Sequence, residues 1–289
     1  MGVSGTPKIS YLICTTPRSG STLLCELLAA SGIAGRPDEY FQQLRSTGLP
    51  MRPRDYLDGV AADILPPLAD HHRELEEHNV YDPERFPGFE HYMRWVQDRA
   101  TTPNGVLGAK IMWPYMAGLV AGLASIPRHQ GLVAPDDLLA RAFPRLGYVW
   151  LRRMDKVRQA VSLWRAIQTW HWREDAAQHP GRQGCEARAA PLVYSFEAID
   201  HLRRRLIASD RAWETYFEGT GTKPLTLTYE NFVNEKHETV IRMLRHVGVA
   251  YPATAHYGAP RTARQSDELS EQWVTVFRAD FEARVPAVG

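Results

Sequence analysis

Arg18, Ser19, Gly20, Ser21 and Thr22 stand together between an apolar run (Ile9, Tyr11, Leu12, Ile13, Cys14) and the leucines Leu23, Leu24, Leu27 and Leu28. One fixed positive charge, three hydroxyl donors and a glycine suit a turn that wraps a phosphate-like anion. A second basic point is Arg153, which follows an apolar segment over 146–151 and precedes Ser162 by nine residues, with Gln159 as a competing donor. Arg261 and Arg264 offer a third. Glu39 follows Gly35 and Pro37, close in sequence to Arg18, and reads either as a surface or capping carboxylate or as a group that takes a proton from a reacting hydroxyl. Lys110 ends another apolar run and either projects into the same cleft or snorkels at a strand end.

These residues need elements to hold them. The segment 9–14 has the length of a buried parallel strand, and the leucines after the turn share one helical face, with Gly32 as the stop. A helix N-terminus placed after the turn would present unpaired N–H groups and the positive end of its dipole to an anion. Further strands are expected over 105–112 and 146–151, and an alternating one through Leu225, Leu227 and Tyr229. Helices are expected over 92–99, from Lys156 (Val157, Ala160, Val161, Trp164, Ile167), from Phe196 to Phe217, over 233–247 and around Trp273 and Phe277. The run Arg203, Arg204, Arg205 reads as a solvated face, and 175–191 as a loop. Strands alternating with helices define an α/β fold class, a central parallel sheet flanked by helices, with ligand at the carboxyl ends of the strands. The length suits a single domain over 1–289, with a helical cap or insertion around 45–104.

Composition removes several function classes. Lys plus Arg total 34 against 33 for Asp plus Glu, so any anion site is local, and no nucleic acid or membrane surface is an expected partner. No segment reaches the ~18 apolar residues of a membrane helix. No secretion signal opens the chain, and Cys14, Cys25 and Cys185 form neither a metal spacing nor an even disulfide set; a cytoplasmic setting is the expectation. The eleven histidines show no ligand spacing, so no metal is expected, and His71, His72 and His78 read as exposed. The turn lacks the Gly-Lys-Ser/Thr ending of a Walker loop, which counts against a metal-dependent nucleoside or sugar kinase. A non-catalytic nucleotide-binding module would keep the basic groups and need no base.

With those residues in view, the chain resembles the sulfotransferases that use 3′-phosphoadenosine-5′-phosphosulfate, and within them the bacterial trehalose 2-sulfotransferase-like family. The resemblance is carried, in family order, by Thr15 to Thr22, Pro37-Asp38-Glu39-Tyr40-Phe41, Lys110 to Trp113, Leu151 to Asp155, Gln159 to Ser162, Arg165 to Thr169 and Arg264-Gln265-Ser266. It implies that Arg18, Ser19, Gly20, Ser21 and Thr22 grip the donor's 5′-phosphosulfate and that Arg153 and Ser162 grip its 3′-phosphate, with Arg264 and Gln265 also on the donor. The Arg153–Ser162 spacing is one residue longer than the usual eight of other sulfotransferases. The resemblance implies that Glu39 is the catalytic base, that Lys110 and Arg18 steady developing charge, and that the enzyme is a homodimer. Where the trehalose enzymes have a glutamine before the turn arginine and a glutamate opening the acceptor loop, this chain has Pro17 and Arg36. The donor side is therefore intact and the acceptor side altered, with Arg36 and Glu39 expected on an acceptor other than trehalose.

Overall fold

Strand β1 (Ile9–Thr15) is buried from Ser10 to its end and lies inside the sheet, paired on both sides. Its neighbours are β2 (Val106–Met112) and β3 (Leu146–Arg152), and β4 (Leu225–Thr228) pairs with β3, giving the order β2-β1-β3-β4 with every pairing parallel. Parallel strands need long crossovers, and helices supply them. The computed structural model describes residues 6–66, 68, 80–169, 172, 191–251 and 268–284. Expectations on His71, His72, His78, Cys185, Arg261, Arg264 and Gln265, and on the loop over 175–191 except its last residue, lie outside those residues.

The chain sorts into two compact units. The first comprises Met1–Met51, Arg73–Met154 and Ser209–Ala259; the second comprises Arg52–His72, Asp155–Ala208 and Pro260–Gly289. In the first unit the period of two along each strand divides the apolar side chains between two faces. Leu12, Cys14, Leu107, Ala109, Ile111, Tyr148 and Trp150 pack with residues of α2 (Phe89–Ala100), α3 (Trp113–Ala124), α4 (Pro135–Ala142) and the second half of α6 (Phe196–Thr220). Tyr11, Ile13, Val106, Val149, Leu151 and Leu227 pack with α1 (Ser21–Ala30), α7 (Tyr229–Asn234) and α8 (Lys236–His246). A parallel sheet covered on both faces is the fold that the alternation of strands and helices implied. Cys14 and Cys25 are buried thiols on opposite faces.

In the second unit α5 (Lys156–Thr169), the first half of α6 and α9 (Glu268–Arg284) share a core around Trp164, Ile199, Leu202, Trp273 and Phe277. Arg158 ties α5 to α9 through Glu271 at 2.7 Å while also holding Asp155 at 2.6 Å. In the arginine run on α6 Arg204 is solvated as expected, while Arg203 and Arg205 are half-buried: Arg203 and Arg204 both pair with Asp200, and Arg205 donates to the Asp55 carbonyl at 2.6 Å.

Two boundaries differ from the sequence reading. β4 ends at Thr228, whose hydroxyl accepts from the Asn231 amide at 3.4 Å and caps a helix, so Tyr229 opens α7 instead of closing the strand. The helix expected over 233–247 is two: the backbone leaves helical geometry at Glu235 (φ −123, ψ 46), and this lets Phe232 and the α8 residues Val240, Met243 and Leu244 enter one core.

Candidate active site

The turn between β1 and α1 is fixed from two sides. Thr15 donates its hydroxyl proton to the Leu151 carbonyl at 2.8 Å, so Ser19, 2.6 Å away and fully buried, is the donor of the Thr15–Ser19 pair. The Ser19 hydroxyl thus ties the turn to β3. From the opposite face Trp213 on α6 donates its indole N–H to the Thr15 carbonyl at 3.2 Å. Within the turn Arg18 (φ 61) and Gly20 (φ 82) both take left-handed backbone, which for an arginine costs about 1–3 kcal/mol and persists only where the surroundings impose it. Gly20 is doubly required, because a Cβ there would lie 2.6 Å from the Tyr229 ring. Helix α1 then starts with no side-chain cap and no acidic residue in its first turn. Its positive end therefore faces the turn unneutralised, which is the donor set an anion needs.

Arg153 joins this turn directly. Its guanidinium donates to the Arg18 carbonyl at 3.1 Å and lies over the Tyr229 ring, 4.5 Å from the centroid. Its neighbour Arg152 instead stacks on Trp150 at 4.2 Å and meets Asp210 at 3.4 Å. Glu230 accepts the Met154 amide at 3.0 Å, fixing the chain just after β3. Ser162 and Gln159 lie on α5 in the second unit.

Glu39 and Lys110, 71 positions apart in the chain, meet in a salt bridge of 2.9 Å. Both side chains are nearly closed to solvent, Lys110 at 5% exposure and Glu39 at 14%. Lys110 pairs in register with Ile13 of β1, so its side chain falls on the α1 face of the sheet. Burial alone would pull the Lys110 ammonium toward its neutral form, but the Glu39 charge and hydrogen bond outweigh it and raise the pKa. The loop is joined to the strand by backbone as well, the Lys110 amide donating to the Asp38 carbonyl at 2.9 Å. Arg36 is exposed, and its guanidinium donates to the Thr101 carbonyl, just past the end of α2, at 2.7 Å.

The structure thus brings Arg18, Ser19, Gly20, Ser21, Thr22 and Arg153 together around one turn, and pairs Glu39 with Lys110. Sequence reasoning overlooked Tyr229, Trp213 and Asp210. The one available signal was Thr228-Tyr229-Glu230-Asn231, a capping pattern directly after a strand. A cleft of about 430 Å³ lined by Arg145, Tyr148, Lys223 and His246 lies at the opposite end of β3 and takes no part in this arrangement. Among the described residues no cluster of His, Cys, Asp or Glu is fit to hold a metal ion, and no helix is long and apolar enough to cross a membrane.

A tight turn leading into an uncapped helix at the carboxyl end of a doubly covered parallel sheet sets the class, a parallel α/β protein. Residues 10–280 match the family model of the Stf0 sulphotransferases, and the chain belongs to that family, as an enzyme of the sulfotransferase type. It is 35% identical over 277 residues to the trehalose 2-sulfotransferase of Mycobacterium tuberculosis (strain ATCC 35801 / TMC 107 / Erdman), across 93% of this chain and 94% of that one. Against the trehalose 2-sulfotransferase of Mycolicibacterium smegmatis the identity is 32% over 280 residues, across 94% and 96%. A solved sulfotransferase from Alicyclobacillus acidocaldarius overlaps 98% of this chain and 96% of its own at 15% identity, with a TM-score of 0.46.

Proposed function

We propose that this enzyme transfers a sulfuryl group from 3′-phosphoadenosine-5′-phosphosulfate to a hydroxyl of a carbohydrate or other small acceptor, with Glu39 as general base. The observation that carries the reading is the buried Glu39–Lys110 pair at 2.9 Å, joined to the strand beside the one that feeds the turn. A carboxylate this enclosed, kept beside an ammonium, is poor surface decoration and good proton-transfer equipment.

The donor fits the residues present. The uncapped start of α1 and the left-handed pair Arg18 and Gly20 suit its 5′-phosphosulfate, and Arg153, seated beside the turn, suits its 3′-phosphate. When bound, the donor supplies the sulfuryl group and departs as adenosine 3′,5′-bisphosphate. Glu39 accepts the acceptor's hydroxyl proton as that oxygen bonds to sulfur and the sulfur–oxygen bond to the 5′-phosphate breaks. Arg18, the α1 amides and Lys110 steady negative charge on the sulfuryl and leaving oxygens. No metal is required, because the transferring sulfuryl group carries less charge than a phosphoryl group.

The two curated relatives are trehalose 2-sulfotransferases, which puts carbohydrate first among acceptor classes. Pro17 and Arg36 alter the acceptor side, so trehalose is one candidate among others. A homodimer is the expected assembly, to be read by light scattering. The deciding experiment incubates the protein with ³⁵S-labelled donor and a panel of sugars, trehalose included, and follows sulfate esters together with released bisphosphate. Label in an ester supports the reading; bisphosphate affinity with no transfer to any acceptor would leave a nucleotide-binding module instead.

A further inference from the structure

The segment 34–41 carries Glu39 and has no helix or strand of its own, yet its backbone is held almost atom by atom. Tyr11 on β1 donates its hydroxyl to the Ala34 carbonyl at 2.5 Å, passing over Gly108 of β2, where any added Cβ would collide with that hydroxyl. Tyr40 donates to the Arg36 carbonyl at 2.8 Å, and Tyr92 on α2 donates to the Tyr40 carbonyl. The Asp38 carbonyl takes the Lys110 amide, and Gln42 donates to the Glu39 carbonyl at 3.0 Å. On the donor side the Gly35 amide reaches the Thr102 hydroxyl at 3.1 Å, the Arg36 amide the Ala100 carbonyl at 2.8 Å, and the Glu39 amide the Asp38 carboxylate at 2.8 Å. A buried loop must place its polar backbone somewhere, and here three phenols from two other elements and the loop itself do it. Burial raises the pKa of all three phenols, which keeps them protonated and able to donate.

Tyr11 and Tyr92 approach the loop at its two ends, on either side of Glu39, and both are fully buried. We infer that these two tyrosines are positioning residues for sulfuryl transfer: their hydroxyls pin the loop so that Glu39 stays against Lys110 in the geometry proton transfer needs. The inference rests on Glu39 being the base. Neither phenol touches the carboxylate, and each acts through the backbone. A loop pinned by two hydroxyls from separate elements is preorganised, and a shift of about 1 Å at a reacting group can cost up to about 10²-fold in rate.

The test uses the full chain with Tyr11→Phe and Tyr92→Phe, each made in the wild-type and the Glu39→Gln background. Three quantities are read: turnover of the ³⁵S donor with the best acceptor of the panel, hydrogen–deuterium exchange over 34–43, and melting temperature. The expected result is exchange about tenfold faster in that segment alone. Turnover should fall by about ten- to a hundredfold with the donor KM unchanged, and no further loss should appear in the Glu39→Gln background. Unchanged exchange, or an equal fold-loss in both backgrounds, overturns the positioning role. If one variant fails to fold, the other, at the opposite end of the loop, carries the test. Should Glu39→Gln keep more than about a tenth of the wild-type rate, the base assignment falls, and loop exchange alone then decides whether the tyrosines pin the loop.

Discussion

Replacing Glu39 by glutamine separates chemistry from stability because the proposed base is also a counter-ion in this structure. A proton acceptor at this position would be worth about 10²–10⁴ in rate, and an amide of the same shape takes no proton. As counter-ion Glu39 neutralises a lysine left only 5% exposed. Removing one partner of a buried pair costs about 3–5 kcal/mol, and the amide oxygen can still accept from Lys110, so the lower end of about 3 kcal/mol applies. Over 289 residues the entropy of unfolding is about 0.6 kcal/mol/K, so that is a loss of roughly 5 °C in melting temperature. The pH dependence has a definite sign. In the wild type the Lys110 pKa is raised on folding, so its stabilisation is complete below the unfolded value near ~10.4 and is lost only as pH climbs through the folded value. In the variant the Glu39 charge no longer counters burial and only Cys25 and Asp38 still raise the Lys110 pKa, so the folded pKa falls from its wild-type position; to the extent that it passes below the unfolded one, the penalty is full at low pH and shrinks as pH rises between the two. The assays are initial rates with labelled donor, calorimetric titration with adenosine 3′,5′-bisphosphate, and melting curves from neutral to alkaline pH. Donor affinity should stay within a few-fold. A folded variant with near wild-type turnover would refute the base, and one with an unchanged melting temperature would refute the buried-pair reasoning.

Arg153→Ala should weaken adenosine 3′,5′-bisphosphate more than ADP, by about 1.5–3 kcal/mol if a charged hydrogen bond to the 3′-phosphate is lost; equal losses in calorimetry would remove Arg153 from that role. Gly20→Ala must force a side chain into the Tyr229 ring at φ 82, and should lower both melting temperature and bisphosphate affinity, since Tyr229 also carries the Arg153 guanidinium. Arg36→Glu should shift acceptor preference toward trehalose and leave bisphosphate affinity unchanged, as the side chain lies on the Glu39 loop and away from the turn contacts; a wild type that already prefers trehalose within the panel defeats this idea.

The turn and its flanking elements were legible because their signals are local: a short apolar strand, a breaker, then leucines at helical spacing. The Glu39–Lys110 contact was not, because it depends on which strand lies beside β1 and in what register, a matter of pairing between Ile13 and Lys110. Helices α3 and α4 were passed over for different reasons. α3 is apolar on nearly every face, so it shows no stripe, and α4 spans only Pro135–Ala142. Tyr229 was misplaced because Leu225 and Leu227 continue into it with strand-like alternation, whereas the cap at Thr228 decides the structure. Ser19 shows the limit of reading residue type alone: its hydroxyl is a plausible ligand for an anion in the sequence and a buried brace to Thr15 in the fold.

β1 carries a consequence for how the protein is made. It is synthesised before its partners in the sheet, which start at Val106 and Leu146. At about 5–20 residues per second of synthesis, its apolar edge-bonding strand waits on the order of ten seconds before either neighbour exists. Through that interval the nascent segment is a sticky β-strand with unsatisfied backbone on both sides, the kind that chaperones hold and that aggregates without them. Placing the turn directly after a strand whose partners come later therefore makes a part of the candidate site that is translated early among the last to be assembled, and yield on overexpression should respond to slower synthesis more than to changes on the finished surface.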